Sequence, residues 1–268
     1  LALLSYLGHC ETPASTEFGE TVVNGVLYLV DVSMQNDGYI AHDRNGHHWV
    51  YDHAIGVYAL AETLAFVDEM SIDIPNLQQA VEKGTDIILA GQHASGGWDY
   101  GYDKTGSRGG DTSVSGWHMQ ALKAAKNAGY GKDFGADEVM ENSIKAGLIY
   151  FNRMQNSDGW FGYTSPNGST STGKYGLVGV GALSFQIFDK GGSAVGRALR
   201  FARDTPLDYK ADSANLYSWY YTTQAMFFRG GDYWRNWNTE WRDQILKNQN
   251  SDGSWQVEGS SGLKSSQH

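Results

Sequence analysis

Apolar positions recur at helical spacing through most of the chain and predict helices in consecutive pairs. Val22, Val23, Val26, Leu27 and Val30 mark a helix over 17–32, preceded by residues 1–8, which look like the end of a first helix stopped at Gly8. Asp52 stands as a cap before Ala54, Val57, Leu60 and Leu64, and the partner of that helix runs over about 76–90 behind Pro75. Asp111, Thr112 and Ser113 offer caps for a helix through Val114, Met119, Leu122 and Ala125 that Gly129 ends. Its partner, 136–154, carries Val139, Ile144, Leu148 and Phe151 along one side, and the remaining pairs are 174–188 with 194–202 and 214–228 with 237–247. In each pair the first helix is nearly free of polar residues through its middle, whereas the second carries charge, as in Gln78, Gln79, Glu82 and Lys83. The first therefore belongs inside and the second outside.

A turn written four times joins these pairs. Its copies are Gln35-Asn36-Asp37-Gly38-Tyr39, Gln92-His93-Ala94-Ser95-Gly96-Gly97-Trp98, Gln155-Asn156-Ser157-Asp158-Gly159-Trp160 and Gln249-Asn250-Ser251-Asp252-Gly253-Ser254-Trp255. Glycine stops a helix in a left-handed conformation, Asp and Asn hydrogen-bond their own backbone, and the aromatic is a packing wedge. The glutamines stand 57, 63 and 94 residues apart, so a degenerate copy is expected in the last interval, at Phe201-Ala202-Arg203-Asp204-Thr205-Pro206. Five units of about fifty residues follow, an array in which each unit buries its face against its neighbours. The predicted fold is all-α, an α/α toroid of about five helical hairpins in inner and outer rings, forming one domain over 1–268. Long connections run from each outer helix to the next inner one, so the inner-helix N-termini and these loops gather at one end, where a site is expected.

A formal charge of −10 without any Lys/Arg cluster argues against nucleic acid as a partner. No stretch approaches the length of a membrane span. Cys10 is the only cysteine, which excludes an internal disulfide and a multi-cysteine metal site. The start Leu-Ala-Leu-Leu, inside an apolar run, reads as an N-terminally trimmed domain of a longer protein, with secretion or a periplasmic location favoured.

The turn segments resemble the prenyltransferase and squalene-oxidase repeat family, whose members build α/α toroids. Lys83-Gly84, Ile88, Gln92 and Gly96-Gly97-Trp98 follow its repeat; Lys145-Ala146, Phe151, Gln155 and Gly159-Trp160 follow it with the Trp one place early; and Gln249 with Gly253-Ser254-Trp255 matches its end. Residues 109–117 and 217–225 resemble segments of an uncharacterised bacterial branch of that family. The resemblance implies the fold and not the family's chemistries. The Asp-x-Asp-Asp acid of triterpene cyclases, the Asp, Cys and His zinc ligands of protein prenyltransferases, the Gly-Cys-Gly-Glu-Gln of thioester domains and the paired cysteines of lanthipeptide cyclases are all missing. The function expected is therefore binding of a glycan or apolar small molecule in an aromatic-lined cavity, without a cofactor or metal. A carbohydrate-active hydrolase or lyase is the alternative, and a terpene-cyclase-like enzyme the third reading.

The candidate ligand-binding residues are Trp49, Tyr51, Trp98, Arg108, Trp117, Trp160, Tyr217 and Tyr221. For catalysis, His53 is the candidate base, Asp111 the acid that orients it, and Tyr220 the hydroxyl, all at inner-helix starts. Each has a structural reading beside it, since Asp commonly caps helices and aromatics commonly fill cores. His118 reads as a packed histidine. His42, His47 and His48 lack the spacing of a metal site, and Asp99, Asp103 and Asp111 lack that of a calcium loop. Arg44 and Arg108, in the long loops, suit a carboxylate or phosphate.

Overall fold

The four turns are built alike and explain how the helices stack. The computed structural model describes residues 1–131, 137–170, 173–210 and 215–255. Gly38, Gly96, Gly159 and Gly253 all take positive φ, from 85° to 107°. A side chain there would also collide: a Cβ on Gly38 would lie 2.7 Å from that of Lys83, on Gly96 it would run into the Ala146 carbonyl, and on Gly159 it would lie 2.6 Å from the Arg197 carbonyl. The first three turns thus seat their glycines on the next outer helix, whereas Gly253 meets only the Gln249 side chain of its own turn. The glutamine ties the same two pieces together. The Gln92 amide donates to Gly96 O (2.8 Å) and Ser143 O (2.9 Å), and that of Gln155 to Gly159 O (3.2 Å) and Ala194 O (2.8 Å). Gln35 turns back on Asp31 instead (2.7 Å), because its turn has one residue fewer between glutamine and glycine.

The wedge is the second residue after the glycine. Ile40, Trp98 and Phe161 are almost fully buried there, and Trp98 and Trp255 each donate the indole N–H to a carbonyl ten residues earlier, Ile88 O (2.7 Å) and Ile245 O (2.9 Å). This corrects the reading of Tyr39 and Trp160 as the wedges of their turns. They stand one place early, and a cation lies over each: Arg44 at 4.0 Å from the Tyr39 ring and Lys174 at 5.5 Å from that of Trp160.

Among the described residues there are ten α-helices and no strand. The chain divides into two units, Leu1–Tyr150 and Phe151–His268. The first holds α1 (Ala2–Gly8), α2 (Gly19–Gln35), α3 (Trp49–Met70), α4 (Leu77–Ala90), α5 (Thr112–Asn127) and most of α6 (Asp137–Met154). Here α3 packs along α5 as an inner layer, while α4 lies on α3 and α2 on α4. Thirteen of the sixteen residues of α5 are buried, as its near-continuous apolar and small sequence requires. The Asp111 carboxylate caps α5 by accepting from the N–H groups of Ser113 (2.9 Å) and Val114 (3.2 Å). Asp52 does not cap α3, which begins three residues earlier behind His48 and leaves Asp52 in its first turn.

The second unit holds α7 (Val178–Gln186), α8 (Gly192–Arg203), α9 (Leu216–Arg229) and α10 (Gly231–Lys247). Its inner layer is α7 against α9, with α8 on α7 and α10 on α9. Every described position of α7 except Gln186 is buried, whereas α10 buries only Trp237. The expected helix starts at 136 and 214 lie outside the described residues. α10 starts six residues before its expected beginning, because Gly230 and Gly231, both at positive φ, turn the chain at once. No helix among the described residues is long and apolar enough to cross a membrane.

Candidate functional site

The long connection between α4 and α5 builds a rim in the first unit. Gly97 and Gly110 approach so closely that a Cβ on Gly110 would lie 2.8 Å from the Gly97 Cα, and both glycines pass beneath the Tyr150 ring. The Asp111 N–H donates to Trp98 O at 2.7 Å and closes the loop as an arch. Asp99 holds the arch from within, accepting from the N–H groups of Gly101 (3.1 Å) and Asp103 (3.2 Å). Its outer part carries Tyr100 and Arg108. The Arg108 guanidinium lies 4.8 Å from the Tyr100 ring centre and donates to Asp111 Oδ2 at 2.9 Å, with its side chain 42% exposed and that of Asp111 fully buried. Tyr51 of α3 and the exposed His47 flank the same ring at 5.9 and 5.8 Å.

A chain of hydroxyls runs inward from this rim. Ser113 Oγ donates to Asp111 Oδ1 (2.5 Å), which leaves Ser113 to accept from Tyr51 Oη (2.7 Å) and Tyr51 to accept from Tyr100 Oη (3.3 Å). The buried carboxylate fixes the direction of the relay, because it only accepts.

The expected base and acid are each held by other partners. His53 is buried, its Nδ1 accepting from the Ile40 N–H (3.0 Å) and its Nε2 donating to Gly84 O (3.1 Å), so it braces the first turn against α4. Asp111 is consumed by its cap, Ser113 and Arg108. The two sets of partners share no residue. Burial pushes the His53 imidazole down to about 4, partly opposed by the Gly84 carbonyl, which leaves it neutral at pH 7.

Trp49, half-buried, wedges between Tyr39 (5.7 Å) and Tyr102 (4.8 Å). Behind it, Tyr102 Oη donates to His118 Nε2 (2.6 Å), His118 Nδ1 donates to Val114 O (2.8 Å), and the imidazole stacks on Trp98 at 5.2 Å. His118 is the packed histidine that the sequence suggested, driven down to about 3 chiefly by burial. Trp98 and Trp117 are core residues. In the second unit Trp160 and Tyr221 are buried, and the half-buried Tyr217 and Tyr220 pack against Tyr221 at 5.2 Å, the first tilted and the second edge-on. Among the described residues no three His, Cys, Asp or Glu side chains gather as metal ligands.

No family model, curated protein or solved structure matches the chain. The rim thus rests on its own geometry. Of the residues named from sequence, Tyr51, Arg108 and Asp111 come together there. Tyr100, Ser113 and His47 complete it. Tyr100 had a signal, the first aromatic behind the Trp of the best-formed turn, whereas Ser113 read only as one of three adjacent caps.

Proposed function

We propose that this protein binds an acidic glycan, without transforming it, at the Tyr51–Tyr100–Arg108 rim, and that its hairpins close into an α/α toroid like that of the prenyltransferase and squalene-oxidase repeats. The pairing of helices into a buried and an exposed layer in each unit supports the toroid, as does the seating of the first three turns on the next outer helix. The observation that carries the binding reading is the position of Arg108, braced by a buried carboxylate and laid over an aromatic ring with much of its side chain exposed. A guanidinium fixed in this way suits a sugar carboxylate. Tyrosine rings suit the apolar face of a sugar. Catalysis is not favoured, because His53 and Asp111 are both committed to backbone.

Titration calorimetry with uronic-acid oligosaccharides tests this. Wild-type protein should bind saturably, and Arg108→Ala and Tyr100→Ala should each weaken binding about tenfold or more while leaving the melting temperature nearly unchanged for Tyr100→Ala. Equal binding by the variants would place the ligand elsewhere, and cleavage of the oligosaccharide would overturn the non-catalytic reading.

A further inference from the structure

The second unit contains a cavity where the repeat leaves out its turn. In the first unit the wedge Trp98 fills the junction of α4, α5 and α6, donating to Ile88 O, stacking on His118, and lying close to Gly147. The corresponding junction of α8, α9 and α10 follows the degenerate segment 201–206, which has neither the glutamine, the turn glycine nor the wedge. A cavity of about 120 Å³ lies at that place, lined by Ala202 of α8, Met226 of α9, Leu207 of the connecting loop, and Asn236, Trp237 and Glu240 of α10. Trp237 leans in from α10 and donates its indole N–H to Thr223 Oγ1 (3.0 Å), which fills part of the gap and forms one wall.

We propose that this cavity binds a small single-ring aromatic carrying a hydrogen-bond donor. The volume is of the order that holds one ring, and the pocket opens to solvent, with Arg203, Asp232, Asn236 and Glu240 of its lining exposed. Leu207, Ala202, Met226 and the Trp237 ring form the apolar surface for it. Asn236 and Glu240, one helical turn apart on α10, supply acceptors for the donor, in the part that the Ile88 carbonyl plays for Trp98. The site shares no residue with the glycan rim and stands without it.

Phenol is the probe. Titration of isotopically labelled protein should move the Trp237 indole N–H signal saturably, and a crystal soaked in phenol should show the ring against Met226 and Trp237. Leu207→Trp, which restores an aromatic wedge, should weaken phenol binding about tenfold or more, and Ala202→Leu, which fills the opposite wall, should do the same. Glu240→Gln keeps an acceptor and should bind nearly as wild type, whereas Glu240→Ala should bind less tightly. Absence of a saturable shift in the wild type, density for phenol only elsewhere, or undiminished binding by both filled variants would overturn the proposal.

Discussion

Acidification should destabilise the first unit well before the carboxylates in general are neutralised. His53 and His118 are both buried and neutral, held to about 4 and about 3 by burial, against 6.5 for an unperturbed imidazole. Below pH 6.5 the unfolded chain therefore binds protons that the folded one refuses. Stability then falls as the pH falls, at about 1.4 kcal/mol per pH unit for each histidine. By pH 5 each has cost about 2 kcal/mol, and the loss from His53 ends near 3 kcal/mol as the folded state protonates around pH 4. His118 continues to lose stability down to about pH 3. The combined loss of about 4 kcal/mol at pH 5 is large beside a domain stability of roughly 5–15 kcal/mol. Urea unfolding followed by far-UV circular dichroism at pH 7, 6 and 5 measures it, with proton-linked slope approaching two protons per molecule. Stability at pH 5 equal to or above that at pH 7 would refute the reasoning, as would histidine resonances from these two rings titrating near 6.5 in the folded protein.

The turns yield further predictions. Gly96→Ala drives a methyl into the Ala146 carbonyl at a positive φ, so it should destabilise by about 3 kcal/mol, seen as a lower urea midpoint. Gln92→Ala removes donors to Gly96 and Ser143 and should cost about 1–2 kcal/mol, while Gln249→Ala, at the exposed fourth turn, should cost less than about 0.5 kcal/mol. Trp98→Ala empties a fully buried wedge and should cost about 3–5 kcal/mol by the same measurement. Asp111→Asn keeps the cap but weakens the hold on Arg108, so it should lower glycan affinity in calorimetry by more than it lowers the melting temperature.

Most of the helices were legible because a buried face repeats at 3.6 residues, as Val50, Ala54, Val57, Ala61 and Leu64 do along α3. The start of α10 was not, because Asp232 to Asn236 faces solvent for the most part and carries no apolar period to read. Nor could the sequence choose the wedge in the third turn, where Trp160 and Phe161 are adjacent aromatics. Only the seating of Gly159 on α8 fixes which of them turns inward with Phe151 and Phe185. The rim was half legible. Arg108 and Asp111 sit three residues apart in the chain, but the relay through Tyr51 joins α3 to α5 across 62 residues and exists only once those helices are packed. His53 misled for a local reason: its place at a helix start suits a base, while its partners Ile40 and Gly84 come from elements that its own segment does not announce.

The most direct test of the central claim is a calorimetric comparison of a uronic-acid oligosaccharide with its carboxyl-reduced counterpart, the same sugar chain without its charges. If Arg108 reads a sugar carboxylate over Tyr100, the acidic chain should bind at least about tenfold more tightly, and that advantage should vanish in Arg108→Ala. Equal affinity for the two chains, or an advantage that survives the loss of Arg108, would contradict it.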